Sequence, residues 1–143
     1  MKKIDCIFCR IAKKEILSDL VYENKKFFVF LDICPVSHGH LLIIPKKHIV
    51  WMQDADDKMI SDIFKLTKKT MLIMKKALKC DYVQLGVAGT EVPHFHVHLV
   101  PRYFNDDLPK FPTKTYKDGE TGKIKKKLLK HFNPCQSSFC KKF

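Results

Sequence analysis

Arginine is scarce in this chain: of 27 basic side chains, only Arg10 and Arg102 are arginines. Arginine supplies the planar, two-pronged contacts used most often for phosphates and base edges. An extended nucleic-acid groove is therefore not favoured, although a formal charge of +12 asks for anionic partners of some kind. The lysines are dispersed in pairs, such as Lys13-Lys14, Lys25-Lys26, Lys46-Lys47 and Lys68-Lys69, and read as a solvated surface. Also missing is an apolar run near the ~20 residues that a bilayer helix needs, so no membrane partner is expected. The basic start is followed by no apolar signal segment, which predicts a cytoplasmic protein. Internal repeats and a second core are lacking too. At 143 residues and 45% hydrophobic content, one domain with a real core is expected.

Apolar periodicity supplies the elements. Residues 6–14 read as a short helix or knuckle carrying Cys6-Ile7-Phe8-Cys9. Leu20-Val21-Tyr22 and the run from Phe27 to Leu31 flank a polar turn and read as paired strands. A loop marked by Pro35 and Gly39 follows, then a buried strand from His40 to Pro45. Asp54 is a candidate N-cap for a long amphipathic helix. Ile60, Ile63, Phe64, Thr67, Met71, Met74 and Leu78 form its apolar stripe, and Lys65, Lys68, Lys69, Lys75 and Lys76 its wet face. Residues 82–87 and 92–101 read as two further strands. After Tyr103 the texture turns to loop, with prolines following Leu108 and a short basic helix from Ile124 to Phe132. Residues 1–103 are thus expected to form the domain, and residues 104–143 a basic extension of it.

The run His94-Phe95-His96-Val97-His98 carries the chemistry. In a strand the three histidines share one face, and Phe95, Val97 and Leu99 turn to the core. Imidazole suits proton transfer, nucleophilic attack and metal binding near neutral pH. A neutral ring can attack phosphorus if its other nitrogen is held by a fixed acceptor. Histidines two residues away, and His40 after Gly39, are candidate donors to the developing charge. Arg102 could instead pair with a carboxylate. Metal binding is the competing use. Cys6 and Cys9 have finger-like spacing, and His48 with one triad member would complete a tetrahedral zinc site. A metal-dependent hydrolase ligated by His94, His96 and His98 remains an alternative, although it leaves both cysteines unused. His38 and His131 read as exposed, Cys34 and Cys80 as small hydrophobes, and Trp51 as core or interface packing. Cys135 and Cys140 are weak candidates for metal or pairing.

Taken together, H-x-H-x-H followed by Pro101-Arg102, the Cys6-Ile7-Phe8-Cys9 knuckle, Phe30-Leu31-Asp32-Ile33 and the stretch from Gly39 to His48 resemble the histidine-triad (HIT) superfamily. The resemblance covers about two-thirds of the chain, from Cys6 to Tyr103. It implies an α+β fold with a five-stranded antiparallel sheet, a long amphipathic helix and a short N-terminal helix, usually as a homodimer. It also implies a nucleotide hydrolase or transferase that cleaves a P–N or P–O–P bond of a purine nucleotide at the α-phosphate. His96 would be the nucleophile, forming a nucleotidyl-histidine. His98 would contact phosphate and leaving group, and His40 would support the network. Asp32 would accept from the ribose hydroxyls, Ile33 and Phe8 would flank the base, and Thr90 would stand at the phosphate. Cys6, Cys9, His48 and His94 would hold structural zinc. Thr90 and Glu91 depart from the family's usual Gln and Ser or Thr, and a carboxylate there repels phosphate unless turned away. A nucleotide-binding or scaffolding protein with weak catalysis is the alternative.

Overall fold

The computed structural model describes residues 6–108 and 114–139, with side chains up to residue 132. The basic start at residues 1–5, the proline-bearing residues 109–113, Cys140 and the Cys135 side chain lie outside it. The chain divides into two compact units after Leu108.

The first unit is an α+β sheet structure. Its strands are β1 (Leu20–Glu23), β2 (Phe27–Leu31), β3 (Leu41–Pro45), β4 (Tyr82–Val87) and β5 (Val97–Arg102). They form one antiparallel sheet in the order β1-β2-β3-β5-β4. Alternation explains why β2 and β3 are apolar at every position. Phe27, Val29, Leu41 and Ile43 join a core on one face, while Phe28, Phe30, Leu42 and Ile44 join a second core on the other. Burying each phenylalanine contributes roughly 2–3 kcal/mol.

Helix α2 (Asp57–Leu78) covers the first face. Ile63, Thr67, Thr70 and Met74 are its buried residues, at three- and four-residue steps. Its N-cap is Asp56, whose carboxylate accepts from the Met59 amide at 2.8 Å. Asp54 instead ends a 3-10 turn (Met52–Asp54), because Ala55 is extended and keeps it out of reach of the helix N-terminus. Leu78, expected on the apolar stripe, is 38% exposed at the helix end. Helix α1 (Ile7–Ala12) turns Phe8 and Ile11 into the second core.

Strand β5 starts at Val97, not near Val92. Pro93 lacks a ladder donor and restricts its predecessor. The His94 amide turns back to the Val92 carbonyl at 2.7 Å, and the Phe95 amide bonds Ile49 at 2.6 Å. The three histidines therefore do not lie on one regular strand; only His98 does, directly opposite Leu42 of β3.

In the second unit, α3 (Glu120–Phe139) is longer than the expected basic helix. Glu120 begins it by accepting from the Lys117 amide at 2.9 Å. No described helix is long and apolar enough to cross a membrane.

Gly39 sets up the site from the loop before β3. Its φ of +95° is costly for residues with a Cβ, and an added Cβ would also come 2.6 Å from Leu78 Cδ1. The Leu78 side chain can yield; the backbone cannot. Gly39→Ala is expected to lower unfolding free energy by roughly 1–2 kcal/mol in urea titration.

Candidate functional site

Four residues distant in sequence meet beside α1. Cys6 and Cys9, His48 after β3, and His94 before β5 bring four ligand atoms within 4.8 Å of one another. His94 is fully buried. Its Nε2–H donates to the Pro45 carbonyl at 2.9 Å, which leaves Nδ1 unprotonated. That nitrogen faces Cys6 Sγ at 3.4 Å and Cys9 Sγ at 3.6 Å, and His48 Nδ1 faces Cys9 Sγ at 3.2 Å. Burial pushes the Cys9 thiol up to about 11, helped by its contact with Cys6, and pushes His94 down to about 4. Two sulfurs and two imidazoles, closely gathered and buried at Cys6 and His94, are a donor set suited to a tetrahedral divalent cation, whose charge reverses the penalty on the thiolates.

The remaining candidates line one cavity of about 640 Å³: Phe8, Asp32, Ile33, His40, Thr90, His96 and His98. Two hydrogen-bond arrangements assign the ring nitrogens. His96 Nδ1–H donates to the His94 carbonyl at 2.6 Å, so its Nε2 keeps a lone pair. The Val36 amide donates to His40 Nδ1 at 3.3 Å. Asp32 Oδ2 lies 3.5 Å from the same nitrogen, but burial pushes His40 down and favours the neutral ring, so Nδ1 accepts from Val36. His40 Nε2–H therefore donates to His98 Nδ1 at 3.0 Å, and His98 carries its own proton on Nε2. The site thus holds one bare nitrogen and one N–H on rings whose centroids lie 4.7 Å apart. Phe8 stands edge-on to His96 at 5.1 Å and to His94 at 5.8 Å, which limits rotation of both rings.

The three triad histidines do not converge on a common metal. His94 turns to the sulfurs, while His96 uses Nδ1 on a backbone carbonyl and His98 uses Nδ1 on His40. Arg102 is occupied by Asp106 at 2.7 and 2.8 Å, which pulls that carboxyl down to about 2. Cys80 is buried, as a small hydrophobe would be, but Cys34 is exposed, which corrects that reading for it: Cys34 lies on the cavity loop, outside either core. His38 and His131 are exposed. Trp51 is 44% exposed, and its ring would meet a Cβ at Gly89 at 3.2 Å. Sequence reasoning missed Ile7, Leu17 and Ser18 as cavity residues. The apolar pair Ile16-Leu17 inside a polar loop was the available signal.

Burial also holds His98 down to about 4, from an ordinary 6.5, with the His96 and His40 charges adding to the effect. A ring held low binds its proton more readily in the unfolded chain, so acidification favours unfolding. Stability is expected to fall as pH drops from about 6.5 toward 4. Urea midpoints across this range check it, and His98→Asn should flatten the slope.

The HIT domain family model matches residues 13–105. Adenosine 5'-monophosphoramidase HNT1 of Saccharomyces cerevisiae is 35% identical over 131 residues, covering 87% of this chain and 80% of the yeast protein. The crystal structure of SMU.412c from Streptococcus mutans superposes with a TM-score of 0.81 at 30% identity, over 92% of this chain and 87% of that one. A zinc-bound histidine triad family protein from Mycobacterium smegmatis superposes with a TM-score of 0.70 at 25% identity, over 92% of this chain and 98% of that one.

Proposed function

Because this chain belongs to the HIT domain family, we propose that it hydrolyses purine nucleotides at the α-phosphate, with His96 as nucleophile. The observation that carries the reading is the bond from His96 Nδ1 to the His94 carbonyl, which leaves Nε2 bare on a ring lining the cavity. In the reaction, His96 Nε2 attacks phosphorus and the bond to the leaving group breaks. His98 Nε2–H hydrogen-bonds the leaving atom, which departs with a proton drawn from solvent. Water then attacks the same phosphorus and the phosphorus–His96 bond breaks. The water proton passes to solvent, and the mononucleotide leaves. His40 is a positioning residue, since its contact with His98 fixes which nitrogen of that ring carries the proton. Phe8 and Ile33 flank the base, Asp32 accepts from the ribose hydroxyls, and the Thr90 hydroxyl donates to a phosphate oxygen. The name of the yeast relative, a monophosphoramidase, supports the reaction class.

Cys6, Cys9, His48 and His94 hold a structural zinc ion in this reading, supported by their donor chemistry and by the zinc-bound relative. When bound, it cross-links α1 to the entry of β5 and has no position left for substrate. Such thiolate ligands suit a reducing compartment, consistent with the cytoplasm. The protein works as a homodimer. The supporting feature is β4, an edge strand that leaves Tyr82, Leu85 and Val87 exposed.

His96→Ala is expected to cut kcat/KM for adenosine phosphoramidate roughly a thousandfold or more, with nucleotide binding retained in calorimetry. Unchanged turnover would remove His96 from the nucleophile role. Nucleotide binding by wild type without any turnover would favour the binding-protein alternative. Cys6→Ser should empty the metal site in elemental analysis and lower the melting temperature, while His96→Ala keeps its zinc.

A further inference from the structure

The cavity's charge is opposite to the chain's. The sequence has 27 basic and 15 acidic side chains, yet no lysine or arginine lines the cavity among the described residues. Its acidic lining residues are Asp32, after β2, and Glu91, on the connection from β4 to β5. Each carboxylate has a different position in the chemistry. Asp32 Oδ1 is engaged by the Cys34 amide at 2.9 Å, and Oδ2 lies beside His40. Glu91 is exposed, with no partner among the described hydrogen bonds or ion pairs, next to Thr90 and three residues before His94.

A dinucleoside polyphosphate carries several negative charges beyond the phosphoryl group attacked. Recognition of such a chain normally draws on Lys, Arg or a metal ion. This cavity offers the rest of that chain the Asp32 and Glu91 carboxylates and uncharged lining groups beside the histidine rings, with no lysine or arginine among the described residues. An amine leaving group with a second, protonated nitrogen meets the opposite situation, since Glu91 can pair with it.

Resting on the hydrolase reading above, we infer that Glu91 selects the leaving group by charge: the substrate is a nucleoside phosphoramidate whose amine carries a further cationic nitrogen. Attack by His96 Nε2 breaks the P–N bond, and the departing nitrogen, protonated from solvent and hydrogen-bonded by His98 Nε2–H, leaves as the free amine. Hydrolysis of the nucleotidyl-histidine then yields the mononucleotide. Overall, one water adds across the P–N bond and no redox partner is needed. The distal ammonium group stays protonated throughout and serves only for recognition by Glu91.

Three substrates test this on the full-length protein: adenosine monophosphate joined through one nitrogen to 1,4-diaminobutane, the same nucleotide joined to uncharged pentylamine, and diadenosine tetraphosphate. Wild type should prefer the diamine conjugate over the pentylamide by roughly three- to tenfold in kcat/KM, as expected for one partly exposed ion pair. The tetraphosphate should be the poorest. Raising salt should shrink the preference. Glu91→Gln should bring the ratio toward one, and Glu91→Lys should invert it and improve tetraphosphate cleavage. Equal rates on both amides in wild type, or an unchanged ratio in Glu91→Gln, would overturn the charge selection alone. Wild type inert on all three would overturn the hydrolase reading, and this inference with it.

Discussion

Most of the site depends on the way His94 is held. Its Nε2 is tied to the Pro45 carbonyl, its Nδ1 faces two sulfurs, and its own carbonyl receives the His96 ring at 2.6 Å. One buried residue therefore links the end of β3, the N-terminal knuckle and the reactive ring. A polar group with no exposure persists only when its partners are in place, and here each partner belongs to a different segment of chain. Anything that loosens the sulfur side also loosens the carbonyl that orients His96.

The second device is a relay of tautomers. A backbone amide of the loop before β3 sets His40, His40 sets His98, and the result is an N–H directed away from that relay. A separate backbone carbonyl sets His96 in the complementary state. Two rings of the same residue type thus acquire opposite roles, acceptor and donor, without any difference in their intrinsic chemistry. Burial that holds His98 low keeps that ring neutral at ordinary pH.

Much of this could be read from the residues. The strands and the long helix followed from apolar periodicity, the five-stranded sheet from the family resemblance, and the motifs with that resemblance brought forward residues that line the cavity and the Cys/His cluster. The errors have local causes. Reading residues 92–101 as one strand extended period-two alternation through Pro93, where the ladder cannot form. Choosing Asp54 as the cap among Asp54, Asp56 and Asp57 was a question of backbone angle at Ala55, to which side-chain type gives no access. The contribution of Leu17 and Ser18 to the cavity arises from how the turn after α1 folds across the end of β2, a long-range matter without a periodic signature. The partners of the ring nitrogens are backbone groups of Val36, Pro45 and His94, and every residue has those groups, so no motif announces them.

The two-sided burial of β3 has a consequence for accuracy of assembly. Leu41, Leu42, Ile43 and Ile44 are so alike that sliding the strand by one position would exchange two aliphatic layers at little hydrophobic cost. Oil alone cannot tell the correct alignment from its neighbour. The discrimination falls to the polar ends of the strand: the Gly39 bend with His40 reaching His98 at one end, and the Pro45 carbonyl meeting His94 at the other. The groups proposed for chemistry would then also proofread the folding of the strand between them.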